Sequence, residues 1–354
     1  MIRFVCLICV LLCFISSQLL SQVYDSIERS PKKVKVLPFP TLGYEPETKF
    51  HFGAVALFTI DLYQDSLTRT SNAKVEFNYT LRNQIILESD WNYFFKEEKW
   101  FSQGILHFSR YPDLYYGVGP NSQFSDELLF ETNRVNLRGG LYRNIAKKLF
   151  LGGALRYTNY AKVQSDSVNV FDELRQRENF GASISAFYDN RNNLLNASDG
   201  SFLRVDLEYN FSSNDYIIFD FDLRKYSTLK YDFVLAGRAY SQFCINEPAF
   251  YDYSILGGDD YVRGYFYGRY RDLNLSTLQV ELRTPLLWRV GLSLISGVST
   301  LYGQNSSFGE VIRPNYGLGL RFLVDKENDV NLRFDYVIGN DQNSGFYISF
   351  GESF

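Results

Sequence analysis

NLRFDYVI, Asn331–Ile338, alternates without a break: Leu332, Phe334, Tyr336 and Ile338 fall on one face of an extended chain, and Asn331, Arg333 and Asp335 on the other. TLQVELRT upstream repeats the arrangement, with Leu278, Val280 and Leu282 opposite Gln279, Glu281 and Arg283. A face carrying such charges meets water in a soluble sandwich and a polar lumen in a membrane barrel, so alternation alone leaves both architectures open.

Two features outside the strands favour the barrel. Phe, Tyr and Trp make up 17% of the chain, whereas no stretch beyond the first residues is an apolar run of helix length. A transmembrane barrel has this balance because lipid-facing rows and interfacial girdles are aromatic while the lumen stays polar. The chain also opens with Arg3 followed by an apolar run from Phe4 to Ile15 and small or polar residues to Ser21. That reads as a secretory signal over residues 1–21; as a membrane anchor it falls short of the roughly 20 apolar residues a spanning helix needs.

Of the four cysteines, Cys6, Cys9 and Cys13 sit in the signal, which leaves Cys244 and excludes a disulfide framework or a cysteine metal site. Net charge is -4 with the signs interspersed, which argues against nucleic acid as a partner. Without a Pro/Gly/Ser-rich linker, one domain is expected over residues 37–354, after a short periplasmic segment at 22–36.

Period-two segments recur from 37–44 to 344–354 and number sixteen, the even count of single-chain bacterial barrels. With both termini periplasmic, connections after odd-numbered strands face outward, and the long ones at 111–127, 163–177, 246–273 and 303–313 all do. The expected fold is all-β: a sixteen-stranded antiparallel transmembrane β-barrel in the outer membrane of a Gram-negative bacterium. The first segment contains Pro38, Pro40 and Pro46, which either precede the strand or weaken hydrogen bonding along its free edge. FYISFGESF at the end places Phe346, Ile348, Phe350 and Phe354 on one outward face, with Glu352 interrupting the row.

Between the eleventh and twelfth segments lies GGDDYVRGYFYGRYRD, Gly257–Asp272. Its VRGY, Val262, Arg263, Gly264 and Tyr265, resembles the signature loop of the bacterial surface antigen superfamily, the barrels of BamA- and TamA-type assembly factors and two-partner secretion translocators. Three other segments are similar to family motifs: Asp189, Arg191 and Gly200 in an Asp-x-Arg turn, Tyr116, Gly117 and Gly119 in a Tyr-Gly-x-Gly segment, and the first hairpin from Leu42. The resemblance implies that the sixth outer loop folds inward and that Arg263 pairs with a carboxylate on the wall. It also implies that the terminal aromatic row is an assembly signal read by the barrel-insertion machinery. The strand that usually supplies the carboxylate has Ile295, Gly297 and Ser299 instead, so the inward faces nominate Glu281 and Asp335. Tyr265 and Tyr267 are then expected to pack along the lumen.

The function implied is outer-membrane protein or lipid assembly, or translocation. Family members capture substrate with periplasmic modules, and the segment at 22–36 is too short for one, which points to a separate periplasmic partner. The other readings are a passive pore or surface antigen with a plugging loop, and an enzyme. The latter has only His51 and His107 to draw on, neither in a nucleophile motif, so no enzyme is expected. Asp259 and Asp260 read as a solvated turn rather than a cation site, since two adjacent carboxylates supply too few oxygens. No metal or cofactor is expected, and outer-membrane lipid is the surrounding partner.

Overall fold

The computed structural model describes residues 34–45, 49–63, 65, 67–81, 83–165, 177–211, 214–259, 261–304 and 306–354. The expected signal at 1–21, residues 22–33 of the expected periplasmic segment, Pro46 and Asp260 lie outside them, as does the side chain of His51. In chain order the strands are β1 (Val34–Glu45), β2 (Lys49–Ile60), β3 (Ser71–Thr80), β4 (Ile85–Phe94), β5 (Trp100–Tyr115), β6 (Leu128–Ala146), β7 (Leu149–Ser165), β8 (Arg177–Asp189) and β9 (Gly200–Phe211). They continue as β10 (Tyr216–Thr228), β11 (Val234–Ile245), β12 (Ser254–Leu256), β13 (Tyr270–Asp272), β14 (Asn274–Arg283), β15 (Val290–Tyr302), β16 (Arg313–Asp325), β17 (Val330–Gly339) and β18 (Ser344–Phe350).

Sixteen of these form one antiparallel sheet in strict chain order; β12 and β13 form a separate two-stranded ladder inside the connection from β11 to β14. The sixteen are the sixteen read from periodicity. Boundaries differ where pairing outlasts the sequence pattern. β5 and β6 stay in register out to Tyr115 opposite Leu128, so the strand runs through Pro112 and the outer connection is shorter than 111–127. β1 likewise starts at Val34 rather than at 37, and Pro38 and Pro40 lie within it, opposite Ala56 and Ala54 of β2.

Burial along the strands reverses the polarity of a soluble sandwich. On β14, β16 and β17, Leu278, Leu318 and Tyr336 are exposed, whereas Glu281, Arg283, Arg321, Arg333 and Asp335 are buried. An apolar outer face around a charged interior is stable in hydrocarbon and not in water, so the inverted pattern settles the choice that alternation left open. Among the described residues no helix is long and apolar enough to cross a membrane. The strands supply the spanning segments.

The two edges of the sheet meet through side chains. The Phe39 ring of β1 lies 4.7 Å from that of Phe350 on β18, and Lys35 Nζ is 2.8 Å from an Asp325 carboxylate oxygen at the end of β16. Among the described residues no hydrogen-bonded ladder joins β1 to β18.

The C-terminal row needs correction. Phe346 and Ile348 are exposed and Phe350 meets Phe39, but Phe354 is buried against Ala197, Tyr226 and Ala236. β18 stops at Phe350 because Gly351 takes φ +75°, a left-handed conformation that costs glycine little. The bend carries Glu352 inward to Arg321, at 2.8 Å, and lets a backbone oxygen of Phe354 accept from Arg283 at 3.2 Å. Strand parity stops applying at that bend, and the outward row has three residues rather than four.

Candidate functional site

The segment between β11 and β14 lies on the face of the sheet that carries the buried charges. Val262 is fully buried with Tyr240, Leu256, Tyr265 and Tyr270, and this apolar cluster seats the turn that follows. Gly264 has φ +95°, and a Cβ there would come within 2.9 Å of Val337 on β17, so the backbone can approach the wall only as glycine. Its N–H donates to the Tyr347 hydroxyl at 2.9 Å, and Asn315 Nδ2 donates to the Arg263 carbonyl at 2.9 Å.

The Arg263 guanidinium, fully buried, donates through Nη2 to Glu281 Oε1 and through Nη1 to Asp335 Oδ2. Neither carboxylate serves Arg263 alone. Glu281 also accepts from Arg283 Nε at 2.9 Å, and Asp335 from Arg333 Nη1 at 2.7 Å and from Arg321. Arg333 reaches on to Asp259 at 2.6 Å, and Arg321 to Glu352. Four guanidiniums thus face four carboxylates, a neutral set in which each charge keeps a partner, the condition under which buried ions are tolerable. Asp259 lies in the expected turn, but its partly buried carboxylate is ion-paired rather than free in solvent. Burial alone would raise its pKa, but the Arg333 guanidinium outweighs that and holds the carboxyl below the ordinary aspartate range.

Tyr265 is buried, with its hydroxyl at the Pro314 carbonyl and 2.8 Å from Asn340 Oδ1. Tyr267 is 42% exposed, contrary to the expectation that it packs inward. Gly268 between them and Arg271 has φ +86° and redirects the chain.

A second anchor escaped the sequence reading. Asp252, in the short 3-10 turn Phe250–Asp252, takes a two-point contact from Arg156 of β7 at 2.8 and 2.6 Å. It also accepts from Asn179 of β8 at 3.1 Å and from the Tyr216 hydroxyl of β10. The outer connection after β5 adds a third attachment: Gly119 N–H donates to the Arg271 carbonyl and Ser122 Oγ to that of Arg269, both at 2.7 Å, while the Tyr116 and Phe266 rings meet edge to face at 5.5 Å. The Tyr-Gly-x-Gly residues thus hold the long connection.

The Asp-x-Arg residues have a local role at the opposite end of the strands. Arg191 grips Asp189 at 2.9 and 3.1 Å, Gly200 at φ +108° admits the tight return, and Arg69 links Asp189 to Glu98.

His107, which lacked a recognisable partner in the sequence, bridges Glu88 at 2.8 Å and Ser109 Oγ at 2.9 Å. This is the order of a serine nucleophile, a base and an orienting carboxylate. Ser109, however, sits mid-strand, paired to Ile86 on one side and Arg134 on the other. Backbone amides committed to ladders cannot form an oxyanion hole, the larger part of such catalysis. Among the described residues no cluster could hold a metal ion.

A sixteen-stranded sheet with one apolar exposed face, one face of buried charges and a long connection bound to that charged face has the pattern of the outer-membrane β-barrel class. The chain belongs to the Omp85 superfamily, whose domain matches residues 59–354. Among solved structures it is similar to BamA from Haemophilus ducreyi lacking POTRA domains 1–3, at 14% identity and a TM-score of 0.57, covering 91% of this chain and 70% of that one. It is also similar to CdiB from Acinetobacter baumannii, at 16% identity and a TM-score of 0.60, covering 90% of this chain and 60% of that one. At these identities the likeness is one of fold. Sequence comparison with curated proteins gives no match.

Proposed function

We propose that this protein acts in the outer membrane of a Gram-negative bacterium, in the assembly or translocation of outer-membrane proteins or lipids, and that it is not an enzyme. The observation that carries the reading is the junction of β1 and β18: side-chain contacts and, among the described residues, no ladder. Pro38 and Pro40 occupy positions of equal parity in β1, so the amides they lack would point to the same side of the strand. A strand edge with unspent hydrogen-bonding groups in lipid favours any strand that can pair with it.

In this reading the connection from β11 to β14 folds into the lumen and is held by Arg263, so that opening at the edge does not become a free aqueous pore. Val262, Gly264 and Tyr265 seat that anchor. Substrate capture falls to a separate periplasmic partner, and the insertion machinery recognises Phe346, Ile348 and Phe350 during biogenesis. A passive pore plugged by the same connection is the competing function.

The test is a cysteine pair at positions 39 and 350 in an otherwise cysteine-free mature chain. Oxidation that abolishes outer-membrane assembly in cells, with recovery on reduction, supports the reading. Full function in the locked protein overturns it, and steady conductance indifferent to the lock identifies the passive pore.

A further inference from the structure

The outer connections meet around a second polar recess, separate from the Arg263 network. It encloses about 390 Å³ and is lined by Asn121, Gln123, Arg269, Arg313, Asp341 and Gln342, with Phe124 beside them. These residues come from the connections after β5, β11 and β17 and from the first residue of β16, all at the outer end of the sheet.

The charges in the recess do not balance. Arg313 pairs with Asp341 and donates to the Pro120 carbonyl. Arg269 is 3% exposed and has no carboxylate within ion-pair distance among the described residues. Its hydrogen bond is to the Asp341 carbonyl at 3.1 Å, and otherwise it lies against rings, 3.5 Å from the centroid of Phe124 and 4.7 Å from that of Tyr270. Arg313 lies 4.1 Å from the same Tyr270 ring, so two guanidiniums flank one aromatic side chain, and the one carboxylate there, Asp341, is paired with Arg313 alone. The Nε of Arg269 and that of Arg313 find no acceptor among the described residues. Burial also pushes the Arg269 guanidinium below its ordinary pKa, the mark of a cation without sufficient compensation. Contrast the Arg263 network, where four cations meet four anions.

We infer that this recess binds one oxyanion, a phosphate group carried on a sugar or polyol, with Arg269 and Arg313 taking the phosphate and the amides of Asn121, Gln123 and Gln342 taking hydroxyls. The net charge of +1 calls for a single anionic group. Planar guanidinium forks match phosphate oxygens, and the volume exceeds that of a bare ion while the lining is too polar for an acyl chain. Such a ligand is either a soluble sugar phosphate or the headgroup of a phosphorylated glycolipid in the outer leaflet.

The test titrates glucose 1-phosphate into the detergent-solubilised full chain, with glucose and acetate as controls, and repeats it in nanodiscs with and without a phosphorylated glycolipid. Saturable binding of glucose 1-phosphate, not of glucose or acetate, is expected. It should weaken at least ~10-fold in Arg269→Gln, consistent with the loss of a charge-assisted bond. Asn121→Asp, an isosteric change at an exposed position, places the missing negative charge at the rim and should cause a comparable loss without disturbing packing. Competition of glucose 1-phosphate by the glycolipid nanodiscs assigns the headgroup as the source, and its absence assigns the soluble phosphate. Equal binding by wild type and Asn121→Asp, or no binding of either phosphate source by wild type, overturns the site.

Discussion

Asp252 and Arg156 are separated by 96 positions in sequence and meet in a two-point ion pair on the buried face of β7. Arg263 binds Glu281 on β14 and Asp335 on β17, so a single connection is tied to two distant parts of the same sheet. Two anchors on distant strands restrain such a segment far more than one, because release of either end leaves the other as a hinge. Asp252→Ala should therefore free the stretch around Phe250 while leaving Val262–Tyr265 in place. Loss of one partner from a buried pair costs about 3–5 kcal/mol, and the low end applies because Arg156 keeps Glu208 at 2.9 Å. Limited proteolysis checks this: new cleavage between 246 and 254, with none between 257 and 272. Unchanged protection at 246–254 would refute the anchor.

Arg263→Ala removes one of four cations from a balanced set, so Glu281 and Asp335 remain buried with a net excess of negative charge. The loss should be about 3 kcal/mol, since each carboxylate retains another arginine. Cleavage between Gly257 and Asp272 and larger single-channel conductance are the expected readouts, with the protein still heat-modifiable on gels. Arg263→Lys should recover part of the effect, because one ammonium cannot span both carboxylates as the planar fork does. Wild-type conductance and protection in Arg263→Ala would leave the proposed plug without support.

Periodicity made the sixteen strands legible because each is half lipid-facing, and that physical demand writes itself into every second residue. Glu281 and Asp335 could be nominated for the same reason: they sit on inward rows of the two most regular strands. The remaining members of the site were not written locally. The ion pair of Asp259 escaped the sequence, which showed only its turn, because its partner, Arg333, is contributed from 74 positions away. Asp252 lies in a connection with no periodicity at all. Phe354 was misplaced because strand parity was extended through Gly351, where the backbone turns left-handed.

That bend changes what the end of the chain should do. Phe354 sits against Tyr226 and Ala236 and beneath Arg283, so Phe354→Ala opens a cavity inside the inner end rather than on the lipid face. A buried Phe→Ala change costs about 3–5 kcal/mol. The folded protein should unfold at lower temperature on heat-modifiability gels, while Phe346→Ala, on the exposed row, should not shift that midpoint. The opposite ranking would return Phe354 to the outward row.

Acid should act on the loop late and in one direction. Burial would raise the Asp252 carboxyl, but Arg156 outweighs it and holds the pKa below the ordinary aspartate value of 3.8. A carboxylate with a depressed folded pKa adds stability that is complete above the unfolded value and is lost as pH falls through the folded one. Protection of residues 246–254 should thus be constant from neutrality to about pH 5, roughly one unit above the unfolded value, and decline as pH falls from there through the folded value, which lies below 3.8. In Asp252→Asn that acid-dependent loss should be smaller. Loss of protection already near pH 6 would assign the titration to another group.

Ser109, His107 and Glu88 offer a direct check on the non-enzymatic reading. A serine activated by a hydrogen-bonded base reacts with fluorophosphonates when the developing oxyanion is stabilised, and removal of one such donor costs about 10²–10³ in rate. At Ser109 the neighbouring amides lie in β-ladders on both sides, so that stabilisation is missing although the His107 contact is 2.9 Å. A fluorophosphonate probe should therefore leave Ser109 unlabelled in the folded protein, and Ser109→Ala should leave assembly function and loop protection unchanged. Stoichiometric labelling that is lost in both Ser109→Ala and His107→Ala would establish a nucleophile on the inner wall and overturn the assignment of this protein as a non-enzyme.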